Sequence, residues 1–186
     1  MSSETFQPFV VAGVATYHGG TRDTRDIDCI VVHATEGHSA DESISWLNRV
    51  VKAGESKASY HYLISSDHRI IRMLPVTYIA YHAGVSAIPP AVPHWPQSLN
   101  RRSIGIALDT LDNPEDPISQ WQYDALFWLC KTFCEQYPIH PSMVFAHREV
   151  APGRKFDPRV EILNIGEFRA KLSASVLSPT MPPNHT

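Results

Sequence analysis

The segment that most restricts the possible folds is IDCIVVHAT, residues 27–35. It is an almost uninterrupted run of apolar residues, rich in β-branched side chains, and it is short enough for one strand. A run of this kind is typical of a strand that is buried on both faces of a sheet. The chain therefore needs further elements to cover both faces, and this predicted central strand ends at His33.

Helices are predicted at three places. SADE, residues 39–42, reads as a capping box that starts a helix extending to about Ala53. Ser119 can cap a second helix that continues to about Tyr137, where Pro138 stops it. The segment NIGEFRAKL, residues 164–172, predicts a last helix.

Further strands complete the pattern. SYHYLIS and RIIRML flank a short SDH turn and predict an antiparallel pair. SIGIALD, residues 103–109, alternates apolar and small or polar residues, and SMVFAH, residues 142–147, is a short apolar strand that ends in histidine. The sequence thus predicts an α/β protein with one domain, in which a mixed central β-sheet is flanked by helices.

The length of 186 residues suits one domain. We expect this domain to cover residues 26–173, with an N-terminal extension over 1–25 and a flexible Pro-rich tail over 174–186. Residues 84–102 form a long Pro-rich excursion, which is typical of an ordered binding loop.

Composition excludes several classes. The formal charge of −3 gives no basic footprint for nucleic acid. The apolar run at 9–15 is too short for a membrane helix and Glu4 precedes it, so we expect synthesis without a signal peptide and no membrane insertion. The three cysteines form no CxxC pair and are predicted to be free, buried thiols. A monomer is expected.

Two histidines end predicted strands, which indicates a site. His33 and His147 each follow an apolar run, and ligands bind beyond the carboxyl ends of strands in open α/β sheets. Asp157 can return to the same edge through the turn at Pro152 and Gly153. Two imidazoles and one carboxylate are a typical ligand set for one catalytic zinc ion with an open position for water. Histidines at strand ends can equally be hydrogen-bonded structural residues, and the spacing alone leaves both interpretations open.

Several stretches occur in a characteristic order, namely IVVHAT, SYHYLIS, YHAGVS, RRSIGIALD and FAHREVAPGRKFDP. In this order the chain resembles the zinc-dependent N-acetylmuramoyl-L-alanine amidases, the type 2 amidase domain of T7-type phage lysozymes, AmpD-like enzymes and peptidoglycan recognition proteins. The resemblance covers about residues 25–172. It implies that His33, His147 and Asp157 bind zinc, with Asp157 at a position where T7-type enzymes carry cysteine.

The resemblance also implies catalytic roles for two residues. Lys155 lies where the family places a lysine, and its ammonium would stabilise the oxyanion that forms during amide hydrolysis. Tyr60 matches a tyrosine near the metal, whose hydroxyl would orient the water or the tetrahedral centre. His61 points to the opposite face of its strand and is predicted to be structural.

The chain departs from the AmpD-like pattern at Ala107. AmpD-like enzymes usually carry at this position a glutamate that acts as a general base, which alanine cannot do. Asp109 lies two residues further along and is a weak substitute. The sequence therefore combines an AmpD-like metal loop with a T7-like set of groups for proton transfer.

Four residues are candidates for substrate binding. His82 matches a family position that lines the substrate groove. Asn100 and Arg101 are candidates for contacts with carboxylates of the stem peptide, and Trp95 in the Pro-rich loop could stack on a sugar or anchor the loop.

The leading hypothesis is an amidase that cleaves N-acetylmuramic acid from L-alanine in the cell wall, as a phage endolysin released through a holin. The alternatives are a cytoplasmic enzyme that recycles anhydro-muropeptides and a non-catalytic peptidoglycan-binding module. Retention of all three predicted ligands, together with Lys155 and Tyr60, favours catalysis.

Overall fold

A mixed β-sheet forms the centre of the molecule. The computed structural model describes residues 6, 8–86 and 98–177. The strands are β1 Val10–Ala12, β2 Cys29–Ala34, β3 Tyr62–Ile64, β4 Ile70–Arg72, β5 Ser103–Leu108 and β6 Val144–Ala146. They form one sheet in the order β1-β4-β3-β5-β2-β6. The β3–β4 pair is antiparallel and the other neighbouring pairs are parallel, so the predicted mixed sheet is confirmed.

Helices pack around this sheet. They are α1 Ala40–Leu47, α2 Leu99–Arg102, α3 Gln120–Gln136, α4 His147–Val150 and α5 Ile165–Leu177. Ser39 caps α1 and Ser119 caps α3, as predicted. The reciprocal bonds of a capping box are formed by Ser119 with Gln122, whereas the box was predicted for Ser39 with Glu42. Within the described ranges, no helix combines the length and apolar character needed to cross a bilayer.

Strand β2 is buried at every position, as its sequence predicts. Ile30 and Val32 belong to the main core, which α3 and α5 cover, whereas Cys29 and Val31 pack into a second cluster on the other face. Because side chains alternate along a strand, His33 falls on the same face as Cys29 and Val31. The strand thus presents an imidazole at the edge where β2 ends.

The first helix is shorter than predicted. It ends at Leu47 instead of Ala53 because Asn48 is held by the N-terminal segment. The Asn48 side chain donates to the Val14 carbonyl at 2.7 Å and accepts from the Thr16 amide at 2.8 Å. These contacts are distant in sequence, so local helical spacing does not show them.

Three other boundaries differ from the prediction. Residues 141–143 form a 3-10 turn, so β6 has three residues and His147 begins α4 instead of ending a strand. The last helix continues to Leu177, and residues 178–186 of the predicted tail lie outside the described residues. Strand β1, within the predicted N-terminal extension, pairs with β4 and was not predicted.

Candidate metal centre and active site

Two neighbouring strands bring the predicted histidines together. Strands β2 and β6 are parallel, and Val32 is paired with Ala146. His33 follows Val32 and His147 follows Ala146, so both histidines lie at the carboxyl edge of the sheet. The side chains of His33 and His147 are almost completely buried, at 1% and 2% exposure.

The loop after α4 returns Asp157 to the same edge. The Lys155 amide donates to the Ala151 carbonyl at 3.0 Å, and the Arg148 amide donates to the Asp157 carbonyl at 2.9 Å. Gly153 has a φ of 75°, a conformation that glycine adopts without strain. The loop is thereby folded back onto α4, and it leaves Asp157 only 4% exposed.

The three side chains converge at one point. Nδ1 of His33 lies 3.0 Å from Nδ1 of His147 and 3.4 Å from a carboxylate oxygen of Asp157. Nδ1 of His147 lies 3.1 Å from the other carboxylate oxygen. These three residues could hold a metal ion, and the prediction that they lie together is confirmed.

Burial sets the charges of this cluster. Burial lowers the pKa of His33 to about 4, so the imidazole is neutral at pH 7. Burial also raises the pKa of Asp157, but the adjacent His147 and His33 rings outweigh this and bring the pKa below its ordinary value. The cluster thus presents the neutral His33 imidazole beside an ionised carboxylate, which are forms that bind a cation.

A cavity of about 490 Å³ opens over the cluster. Lys155 and Tyr60 line its wall beside His147 and Asp157. The other lining residues come mainly from the end of β2 and from α1: Ala34, Thr35, Glu36, Gly37, His38, Glu42, Ser43, Trp46, Leu47, Ala58, Tyr81 and His82. The cavity is large enough for a small-molecule or peptide-sized group.

Tyr60 stands next to the metal ligands. Its ring centroid lies 5.1 Å from that of His33. Burial, followed by the negative charges of Asp157 and Glu36, raises the pKa of Tyr60 above its ordinary value. The hydroxyl therefore stays protonated and can donate a hydrogen bond into the cavity.

Comparison with protein families identifies this arrangement. A family model described as N-acetylmuramoyl-L-alanine amidase, Amidase_2, matches residues 23–160. The chain belongs to this amidase family. The match includes all three candidate metal ligands together with Tyr60 and Lys155.

Two curated relatives illustrate the similarity. The amidase AmiD of Escherichia coli K12 is 30% identical over an alignment of 168 positions, which covers 78% of this chain and 56% of AmiD. The 1,6-anhydro-N-acetylmuramyl-L-alanine amidase AmpD of Enterobacter cloacae is 32% identical over 113 residues, 61% of this chain and 56% of AmpD. The chain spans about half the length of the curated relatives it matches.

Solved amidase structures share the fold. Escherichia coli AmiD, in complex with anhydro-N-acetylmuramic acid-L-Ala-D-gamma-Glu-L-Lys, gives a TM-score of 0.60 at 28% identity, and the match covers 77% of this chain and 57% of that structure. An AmpD structure gives 0.69 at 23% identity, with 91% and 98% covered. A mutant endolysin from Bacillus subtilis gives 0.63 at 21% identity, with 89% and 99% covered.

The departure from the AmpD-like amidase pattern is visible in the sheet. Ala107 on β5 is paired directly with His33 on β2, so only a methyl group occupies the position beside the cluster. Asp109 does not replace the missing carboxylate, because it accepts from the Ser66 hydroxyl at 2.8 Å and is not among the residues that line the described cavity.

Two acidic residues line the cavity from the loop after β2 and from α1. Glu36 and Glu42 both line it, although the sequence analysis gave Glu36 no role. Glu36 has a φ of 55°, and its amide donates to the Thr110 carbonyl at 3.0 Å, which fixes the backbone just after β2. Its position three residues after His33, beyond the end of a buried strand, is the signal that could have indicated it.

Of the predicted substrate-binding residues that the structure describes, His82 lines the cavity and Asn100 and Arg101 do not. His82 lines the cavity, but both of its ring nitrogens are within 3.0 Å of protein atoms. Asn100 accepts from the amides of His82 and Ala83, and so it holds the backbone instead of facing the cavity. Nη2 of Arg101 lies 3.8 Å from a carboxylate oxygen of Asp26, and Arg101 is not among the residues described as lining the cavity. Trp95 lies outside the described residues.

His61 has the structural role predicted for it. It is fully buried, its Nδ1 accepts from the Gly105 amide at 2.9 Å, and its Nε2 lies 2.9 Å from the Tyr78 carbonyl. The ring thereby ties β5 to the segment that follows β4.

Proposed function

We propose that this chain is a zinc-dependent hydrolase that cleaves the amide bond between N-acetylmuramic acid and L-alanine in peptidoglycan. The observation that carries the proposal is the buried His33, His147 and Asp157 cluster at the base of a cavity that also presents Lys155 and Tyr60. Relatives named as N-acetylmuramoyl-L-alanine amidases support it.

The spacing of the donor atoms favours zinc. Bonds of about 2.0–2.1 Å in a tetrahedral site place neighbouring ligand atoms about 3.3–3.4 Å apart. The donor atoms of His33, His147 and Asp157 are 3.0–3.4 Å apart, close to this value. Calcium, with oxygen ligands at about 2.3–2.6 Å, would need more oxygen donors and a wider site. When bound, zinc would polarise the amide carbonyl and lower the pKa of a water molecule to roughly 7.

Lys155 and Tyr60 supply the complementary groups. The amide oxygen gains negative charge during attack, and the Lys155 ammonium at the cavity wall stabilises that charge. The protonated Tyr60 hydroxyl donates a hydrogen bond that orients the reacting centre.

Glu36 is the group that we assign to proton transfer. It takes the function that Ala107 cannot perform, because Glu36 lines the cavity and its negative charge contributes to the raised pKa of Tyr60. A carboxylate in this position can accept a proton from the attacking water and deliver it to the leaving amine.

Two substrates contain this amide bond, the peptidoglycan of the cell wall and soluble anhydro-muropeptides. The first candidate function is lysis of the cell wall by an endolysin-like enzyme, which would act on the wall after the enzyme is released from the cytoplasm. Recycling of soluble anhydro-muropeptides in the cytoplasm is the second, and it is favoured by the similarity to AmpD and by the ligand seen in the AmiD complex.

Product analysis tests the proposal. Purified sacculi and a soluble anhydro-muropeptide are incubated with zinc-loaded, chelated and zinc-restored protein, and products are identified by mass spectrometry. We expect stem peptides that begin at L-alanine, lost on chelation and regained with zinc. Asp157→Ala should lose zinc and activity together. Release from sacculi supports wall lysis, whereas release from the soluble substrate alone supports recycling. Binding to sacculi without any product would reject the enzyme in favour of a binding module.

A further inference from the structure

A chain of buried hydrogen bonds leads from His33 away from the cavity. Nε2 of His33 lies 3.0 Å from Nδ1 of His82, and Nε2 of His82 lies 3.0 Å from the Ser103 hydroxyl. The Ser103 hydroxyl donates to the Leu99 carbonyl at 2.5 Å. Ser103 is fully buried and His82 is 8% exposed, so solvent offers these groups little competition.

The final acceptor determines where each proton lies. A carbonyl oxygen only accepts, so the single hydroxyl hydrogen of Ser103 is directed at Leu99. Ser103 then accepts from His82, which places the His82 proton on Nε2. A neutral His82 consequently has a lone pair on Nδ1 and accepts from Nε2 of His33. His33 is left with its lone pair on Nδ1, the atom that faces the other two metal ligands.

A separate contact gives the same result for the second histidine ligand. Nε2 of His147 lies 3.3 Å from the Ala83 carbonyl, so the proton of a neutral His147 belongs on Nε2. Its Nδ1 also faces the cluster with a lone pair. Ala83 directly follows His82, so one segment orients both imidazole ligands.

The surrounding residues hold this chain in place. A side chain at Gly105 would bring a Cβ atom within 2.5 Å of Cγ of His82, so only glycine lets the ring lie against β5. The Asn100 carboxamide oxygen accepts from the amides of His82 and Ala83 at 3.1 and 2.7 Å. Arg22 donates to the carbonyls of residues 100, 101 and 103, which fixes the segment that carries Leu99 and Ser103.

We propose that the Leu99 carbonyl, Ser103 and His82 form a positioning device that holds His33 in the tautomer with Nδ1 free to bind the metal. His82 contacts His33 at Nε2 and not at Nδ1, the atom that would bind the metal, and Ser103 contacts His82. Both are therefore positioning residues. Orientation of a ligating histidine by the partner of its second nitrogen is a general requirement of metal sites. The proposal rests on the metal site of the proposed function.

Loss of the Ser103 hydroxyl has a specific consequence. Without its acceptor, His82 can carry its proton on Nδ1 and donate to Nε2 of His33. The proton of His33 then moves to Nδ1, where it blocks metal binding. Ser103→Ala should therefore weaken zinc affinity by about tenfold or more.

Two measurements test this on the full chain. Zinc affinity is measured by competition with a chromophoric chelator for the parent, Ser103→Ala and His82→Asn. Ser65→Ala is the matched control, because Ser65 is also almost completely buried but lies outside this hydrogen-bond chain. The His33 tautomer is read in the metal-free protein by long-range proton–nitrogen NMR.

We expect a proton on Nε2 of His33 in the parent, a shift toward Nδ1 in Ser103→Ala, and parent-like zinc affinity in Ser65→Ala. His82→Asn keeps an acceptor for His33 and should lose less affinity than Ser103→Ala. If Ser103→Ala does not fold, the His33 tautomer in the parent carries the test. A proton on Nδ1 of His33 in the parent, or unchanged affinity in Ser103→Ala, would overturn the proposal. The NMR result is independent of catalysis, so failure of the amidase assignment would be recognised separately.

Discussion

Under the proposed function, single residues near the candidate metal cluster divide into those that would hold the ion and those that would act on substrate. His33, His147 and Asp157 are buried with their donor atoms close together, whereas Lys155 and Tyr60 line the cavity. Substitutions in the second group should therefore change turnover while leaving the metal bound.

Lys155→Met tests whether Lys155 acts on turnover and not on metal binding. Removal of the ammonium should reduce kcat about 100- to 1,000-fold, the usual cost of losing one group that stabilises an oxyanion. Zinc content, measured by mass spectrometry of the metal, should stay at the parent level. Lys131→Met on α3 is the control, because Lys131 pairs with Glu135 on the helix surface. Full activity in Lys155→Met would contradict the oxyanion assignment.

Tyr60→Phe removes only a hydroxyl. The ring can still pack beside His33, so the fold and the metal site should persist. Turnover should fall roughly 10- to 100-fold because one hydrogen-bond donor to the reacting centre is lost. Tyr62→Phe is the matched control, since the Tyr62 ring packs on Phe133, 5.4 Å away in the core. Equal rates for the two variants would remove Tyr60 from the mechanism.

At the level of elements, β5 packs so closely against the segment containing His82 that a larger residue at the contact would not fit. Gly105 has no side chain, and the His82 ring occupies the space that a Cβ atom would need. The close packing of β5 against the His82 ring therefore depends on glycine at position 105.

Gly105→Ala should lower the free energy of unfolding by about 1–3 kcal/mol, as other overpacking substitutions do. The reason is the 2.5 Å distance from the added Cβ atom to Cγ of His82. Gly166→Ala on α5 is the control, because its Cβ atom would meet its nearest neighbour at 3.4 Å, and alanine in a helix is neutral or stabilising. Urea denaturation measures both, and equal midpoints would show that the His82 ring has room to move.

Local sequence patterns predict elements better than they predict element ends. The buried run of β2 and the Ser119 cap need only neighbouring residues, and both are confirmed. The end of α1 depends on Asn48 contacts with residues 14 and 16, which no helical period reveals. The three-residue strand β1 is likewise defined by its partner β4.

For the whole molecule, the meeting of His33 and His147 was predictable because residues at the carboxyl ends of neighbouring parallel strands lie at one edge of the sheet. The turn at Pro152 and Gly153 indicated Asp157 as a third candidate ligand, and the family resemblance added Lys155 and Tyr60. The partners of His82 and Asn100 were not predictable, because they depend on how the loop after β4 packs against α2 and β5. Contacts between segments far apart in sequence leave no local pattern.

Buried histidines make the stability of the whole metal-free protein depend on pH. Burial lowers the pKa of His33 to about 4 and that of His61 to about 3, and unfolding restores the ordinary value of 6.5. Below pH 6.5 the unfolded chain therefore binds more protons than the folded one, and the free energy of unfolding falls as pH decreases toward 4. Burial also raises the pKa of Asp112 to about 6, which opposes the trend with a single group.

Urea denaturation between pH 7 and pH 4.5 measures this dependence. Each histidine contributes a slope of at most about 1.4 kcal/mol per pH unit. His61→Gln should show a shallower decline than the parent, since one of the titrating groups is absent. A profile that is flat in both proteins would contradict the buried, neutral state of these rings.

An aspartate as the third candidate ligand has a consequence beyond geometry. The candidate metal cluster consists of nitrogen and oxygen donors, the three cysteines are unpaired, and none of them lines the cavity as described. Cys29 and Cys130 are buried, as predicted, and Cys134 is partly buried. Neither a disulfide bond nor a thiolate ligand is therefore needed to form this folded site. Its assembly does not depend on whether the surroundings oxidise or reduce thiols.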